Sequence, residues 1–112
     1  MLDPMRVPLQ HYWVVVKPFK LEDVVAALRP FAVRELVISE CRGYGRQKGH
    51  LELYEGSEYR ITFLPKVRLE FVASSFDREE IVEAIRGAAR TGRIGDGKIL
   101  ITNVRATEED YA

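Results

Sequence analysis

With 112 residues, 46% of them hydrophobic and 30% charged, the chain has material for one compact domain and is far from the apolar-poor composition of a disordered protein. Lysine plus arginine equals aspartate plus glutamate at 17 each, so no general field draws the molecule to nucleic acid or anionic lipid, and any anion site has to be local. No apolar run approaches the roughly 20 residues of a membrane span, and Met1 to Gln10 lacks the basic start and apolar stretch of a secretion signal, which predicts a cytoplasmic protein without membrane insertion.

In chain order, residues 1–10 read as an N-terminal extension. His11 to Lys17 carries Tyr-Trp-Val-Val-Val and is stopped by Pro18, the pattern of a buried strand. Leu21, Val24, Val25 and Leu28 fall at helical spacing, with Glu22 and Asp23 in the first turn where the helix dipole favours acids, and Pro30 marks the end. Val33 to Cys41 and Tyr59 to Ala73 are β-rich; in the second, Ile61, Phe63, Val67, Leu69 and Phe71 alternate with Thr62, Lys66, Arg68 and Glu70, and the two runs read as paired strands. The lone Cys41 cannot form an intrachain disulfide, gives no zinc spacing with His11 or His50, and reads as a strand residue. Asp77 with Glu80 predicts a capping box ahead of a helix that aligns Ile81, Val82, Ile85, Ala88 and Ala89 and ends near Gly92. Lys98 to Val104 is a last strand, and residues 105–112 form a short polar, acidic tail.

The order strand, helix, strand, strand, helix, strand predicts one α+β domain, the ferredoxin-like βαββαβ unit with both helices on one face of an antiparallel sheet. The other sheet face then lacks a cover, and self-association through it is expected.

Two segments carry chemistry. The connection Gly43 to Glu58 is longer than joining two strands requires, which marks a functional loop or a solvated hairpin tip. Thr91-Gly92-Arg93-Ile94-Gly95-Asp96-Gly97-Lys98 is a glycine-rich turn that exposes backbone N–H groups beside cations and suits phosphate, although an ordinary helix C-cap competes with that reading. Its spacing also mimics the nucleotide phosphate-binding loop; that motif needs a strand before it and a helix after it, with Ser or Thr where this chain has Ile99. Arg42-Gly43-Tyr44-Gly45 opens like an RNA-recognition signature but continues Arg46-Gln47-Lys48 without stacking aromatics. A ferredoxin-like nucleic-acid-binding module stays open as an alternative, with nucleic acid not expected as a partner. No Ser-His-acid or Cys-His pairing appears, so no enzyme is expected.

Lys17-Pro18-Phe19-Lys20-Leu21, Gly43-Tyr44-Gly45-Arg46-Gln47-Lys48-Gly49-His50, Glu52-Leu53-Tyr54, Gly56 with Glu58-Tyr59, Phe63-Leu64-Pro65-Lys66-Val67 and the turn Thr91 to Lys98 together resemble the PII signal-transduction family, in that family's order. The resemblance implies a non-catalytic nitrogen regulatory protein: a homotrimer that binds ATP, ADP or AMP between subunits and controls a target enzyme, transporter or regulator through a long T-loop, here residues 44–60. It assigns nucleotide binding to Gly43, Gly45, Arg46 and Gln47 at the loop base and to Gly95, Asp96, Gly97 and Lys98 at the turn, residues 92–97 being its nucleotide-binding part. It assigns a 2-oxoglutarate effector to Gln47 and Lys66, a magnesium ion to Gln47, and covalent modification to Tyr59. No prosthetic group is implied.

After Val104 the chain departs from the pattern. The arginine-bearing segment expected there is replaced by Arg105-Ala106-Thr107-Glu108-Glu109-Asp110, leaving Arg105 as its candidate phosphate partner. A triphosphate with fewer cationic partners loses more than a shorter nucleotide does, so ADP or AMP is expected to compete well with ATP. The shortened tail also resembles a divergent, carboxysome-associated branch that senses adenylates and bicarbonate.

Overall fold

The structure is a computed structural model that describes residues 8–43 and 63–105. The elements are β1 (Leu9–Val16), α1 (Leu21–Leu28), β2 (Arg34–Gly43), β3 (Leu64–Ser74), α2 (Arg78–Ala89) and β4 (Gly97–Asn103), with single 3-10 turns at Pro18–Lys20 and Ser75–Asp77 leading into the helices. The strands form one antiparallel sheet in the order β2-β3-β1-β4. This is the expected ferredoxin-like arrangement, and the strand and helix positions match the expectation to within a few residues, except that the third strand, expected from Tyr59, begins at Leu64, residues 59–62 lying outside the described residues.

Alternation along the central strands makes the core. Tyr12, Val14 and Val16 of β1 and Val67, Leu69, Phe71 and Ala73 of β3 point to one side, where Val24 and Leu28 of α1 and Ile81, Ile85 and Ala89 of α2 close over them. Each large apolar side chain so buried contributes about 1.5–3 kcal/mol. Tyr12 stacks on Phe71 with ring centroids 4.7 Å apart and planes 11° apart, and its buried hydroxyl has no hydrogen-bond partner among the described residues. Burial pushes that phenol's pKa up, with Arg78 pulling it down and Asp77 raising it.

Two details differ from expectation. Asp77 makes no capping hydrogen bond; the Ser74 hydroxyl instead accepts from the Phe76 N–H at 3.1 Å, because the 3-10 turn moves the first free N–H groups three residues upstream of α2. β2 begins irregularly, with a register shift between Arg34 and Val37 and Glu35 at φ 56°, where a side chain is strained.

The face away from the helices carries Leu100, Trp13, Glu70 and Val37 in one row, each opposite the next. Val37 is 55% exposed and Leu100 51%, so this apolar face is uncovered within a single chain, as expected. No helix among the described residues is long and apolar enough to cross a membrane.

Candidate functional site

At one end of the sheet β1 finishes, β3 starts, and the chain turns from α2 into β4. The pairings Val16 with Val67 and Val16 with Gly97 put the 91–97 turn beside the start of β3. On the other side of β3, Gly43 pairs with Leu64, so the root of the long loop opens at this same end.

The turn is built around one carboxylate. Asp96 Oδ2 accepts from the Thr91 N–H at 2.7 Å and from the Gly92 N–H at 2.9 Å, while Oδ1 accepts from the Thr91 hydroxyl and from Lys17 Nζ at 3.1 Å. Lys17 Nζ also reaches Thr91 Oγ1 at 3.3 Å, and that oxygen accepts from the Arg93 N–H at 3.3 Å. The Thr91 hydroxyl and N–H, with Lys17 and the Gly92 N–H, hold the Asp96 carboxyl well below the usual carboxylate range against the cost of desolvation. Asp96 is thus spent on shaping the turn, and its charge is neutralised locally by Lys17. Gly92 and Gly95 take φ of 84° and 86°, conformations that glycine adopts without steric cost.

Lys66 ties the turn to the loop root. Its Nζ donates to the Gly95 carbonyl at 2.7 Å, and its stem passes Gly43, where an added Cβ would meet Lys66 Cγ at 3.1 Å. Burial lowers the Lys66 pKa, Lys17 lowers it further, and Asp96 and Cys41 work against both. Two ammonium groups therefore share a partly desolvated place with one acid already committed. Lys98 and Arg93 stand exposed on the same turn. The arrangement offers backbone donors and surplus positive charge, the requirements of a phosphate or carboxylate site.

The structure brings Gly43, Lys66, Gly95, Asp96, Gly97 and Lys98 to one end of the sheet. Gly97 fits because it has no side chain: a Cβ there would lie 2.5 Å from the Val15 carbonyl oxygen. Arg105 is not with them. It comes after β4 at the opposite end of the strand, about 23 Å away at 3.3 Å per residue, where the Val104 N–H donates to the Leu9 carbonyl. Gly45, Arg46, Gln47 and Tyr59 lie outside the described residues, as do most of the loop and the tail beyond Arg105. Among the described residues no three His, Cys, Asp or Glu side chains group to hold a metal ion, and the magnesium expectation rests on Gln47.

The sequence did not point to Lys17 as part of the site, and it placed Thr91 in the turn without a role. It also missed a cavity of about 430 Å³ between α2 and the β1–β4 side of the sheet, which runs to the turn at Asp96, Gly97 and Lys98.

The family model for nitrogen regulatory protein P-II matches residues 11–109. The nitrogen regulatory protein P-II of Rhizobium meliloti (strain 1021) is 52% identical over 90 residues, 80% of each chain, and that of Azospirillum brasilense is 51% identical over 90 residues, again 80% of each. Nitrogen regulatory protein GlnK of Escherichia coli (strain K12) is 46% identical over 92 residues, 82% of each chain.

Proposed function

The chain belongs to the nitrogen regulatory protein P-II family, and on that premise we propose that its 92–97 turn and loop root hold the phosphates of an adenine nucleotide while residues 44–60 act on a target protein. As a P-II protein it is a non-catalytic signalling protein that binds adenylates and controls partners, and the family works as trimers through the T-loop. The observation that carries the site assignment is the Lys17–Asp96–Thr91 lock joined to the loop root by the Lys66–Gly95 bond. It fixes the turn's backbone and leaves a local cationic surplus in a molecule of zero net charge.

The proposed nucleotide ligands are Gly43, Gly45, Arg46 and Gln47 at the loop base with Gly95, Gly97 and Lys98 at the turn, Asp96 acting through the turn's shape. Arg105 serves this site only from a neighbouring subunit, because within its own chain it stands at the far end of β4. Gln47 and Lys66 are the candidates for a carboxylate effector of the 2-oxoglutarate type, with magnesium held partly by Gln47. Lys66 has to leave the Gly95 carbonyl to take that role, which makes effector binding sensitive to the state of the turn. Tyr59 is the loop's candidate for covalent modification, and the protein is placed in the cytoplasm. The finer placement in an adenylate- and bicarbonate-sensing carboxysome branch rests on the altered tail alone; the Rhizobium, Azospirillum and Escherichia relatives are nitrogen regulators, and nitrogen control is the reading taken.

Calorimetric titration with AMP, ADP and ATP, each with and without magnesium plus 2-oxoglutarate or bicarbonate, tests the reading. The expected result is one adenylate per subunit, ADP at least matching ATP, and little gain from 2-oxoglutarate, because its site at Gln47 and Lys66 loses two supports where ATP and magnesium are not held together. Tight ATP binding strengthened by 2-oxoglutarate overturns the reading of the tail, and retention of no adenylate overturns the site.

A further inference from the structure

Lys17 is not part of the turn it holds. It follows β1 directly, ahead of the 3-10 turn at Pro18–Lys20, and comes to the 91–97 turn because Val16 pairs with Gly97 of β4. Its Nζ lies 3.1 Å from Asp96 Oδ1 and 3.3 Å from Thr91 Oγ1. The pair is mostly withdrawn from water, with side-chain exposures of 19% for Lys17 and 22% for Asp96. Among the described residues it is the only ion pair that Asp96 makes. The other cations about the turn are placed differently: Lys66 donates to the Gly95 carbonyl, and Arg93 and Lys98 are exposed, where water and salt screen them.

The shape of the turn has supports of its own. Asp96 accepts from the Thr91 N–H, the Gly92 N–H and the Thr91 hydroxyl, all within the turn. Gly92 and Gly95 hold their positive φ, and Gly97 sits so close to the Val15 carbonyl that no Cβ fits. Lys17 adds charge to this frame. Without it a partly buried carboxylate stands unmatched in a turn whose N–H groups and Lys98 are to face an anion, and the low local dielectric makes that charge count. Asp96 is also the only acid among the described residues that line the α2–β4 groove, where Arg78, Arg86 and Arg90 supply positive charge. The field at this end of the molecule is therefore positive to the extent that Asp96 is offset.

On the premise of the phosphate site proposed above, we infer that Lys17 is a positioning residue that sets the turn's selectivity for phosphate charge: it acts through Asp96, offsetting the carboxylate, so that the affinity lost without it grows from AMP to ADP to ATP.

Calorimetry with AMP, ADP and ATP on the full chain tests this, comparing the wild type with Lys17→Met and with Lys17→Met combined with Asp96→Asn. An asparagine at 96 accepts from the Thr91 and Gly92 N–H groups through its carbonyl and donates to Thr91 Oγ1 through its amide, so the double variant keeps the turn's own bonds and removes the unmatched charge. Lys17→Met is expected to weaken ADP about tenfold, ATP by more and AMP by less. The double variant is expected to recover ADP binding to within about threefold of the wild type, which a merely structural role for Lys17 does not provide. Lys17→Gln removes the charge with a polar side chain and carries the same expectation, so the test survives a methionine variant whose melting temperature shows that it does not fold. An unchanged ADP affinity on loss of Lys17, an equal loss for all three nucleotides, or no recovery in the double variant overturns the role of Lys17 and leaves the site standing. A wild type that retains no adenylate overturns the site, and this inference with it.

Discussion

A methyl group added at Gly97 meets the Val15 carbonyl oxygen at 2.5 Å, whereas one added at Gly43 meets the Lys66 Cγ at 3.1 Å. The first neighbour is backbone of a central strand and cannot yield; the second is the stem of a flexible side chain. Gly97→Ala is therefore expected to cost about 1–3 kcal/mol in urea denaturation, and Gly43→Ala less than about 1 kcal/mol. The Asp96 carboxyl makes a second prediction. Its folded pKa is depressed, so its stabilising contribution is full above the ordinary aspartate value near 4 and is lost as pH falls through the lower folded value. Asp96→Asn is expected to melt below the wild type at pH 7, with the gap narrowing below about pH 4; a gap independent of pH contradicts the assignment. At this scale the sequence displayed Asp96 as a turn residue but not the direction of its side chain. That direction depends on Lys17 and Thr91, and Lys17 is distant in sequence, brought to the turn only by strand pairing.

Ser74 and Glu35 set the ends of their elements. Ser74→Ala removes the acceptor for the Phe76 N–H and is expected to cost about 0.5–1 kcal/mol, more than Asp77→Ala, as read by thermal melting. Glu35→Gly relieves a side chain at φ 56° and is expected to stabilise by up to about 1 kcal/mol. The helices and central strands were legible because burial on one face imposes a period of 3.6 or 2 on their apolar residues. The cap was misplaced because the box spacing at Asp77 and Glu80 is satisfied in sequence while a 3-10 turn intervenes in space. The start of β2 was legible to within one residue, at Val33 against Arg34, but its register shift and the positive φ of Glu35 were not: an edge strand with mostly exposed residues carries little periodic signal.

Across the whole molecule, the uncovered sheet face arises from the order of elements, since two helices cover one side of four strands. Self-association through that face is the expectation, and Leu100→Glu with Val37→Glu is expected to shift the mass seen by light scattering from trimer toward monomer; an unchanged trimer places the interface elsewhere. The turn at residues 91–97 was legible from its glycines, but the α2–β4 groove was not. Arg78, Arg86 and Arg90 read along the chain as a solvated helix surface, and only packing against β4 gathers them around a cavity. The central claim is that the turn and the loop root hold adenylate phosphate. Its most direct test is the ADP affinity of Lys98→Ala beside the wild type, with melting temperature as the control for folding. A charge-assisted contact to phosphate lost from this site predicts about a tenfold or greater fall in affinity at unchanged melting temperature. An affinity equal to that of the wild type would contradict it.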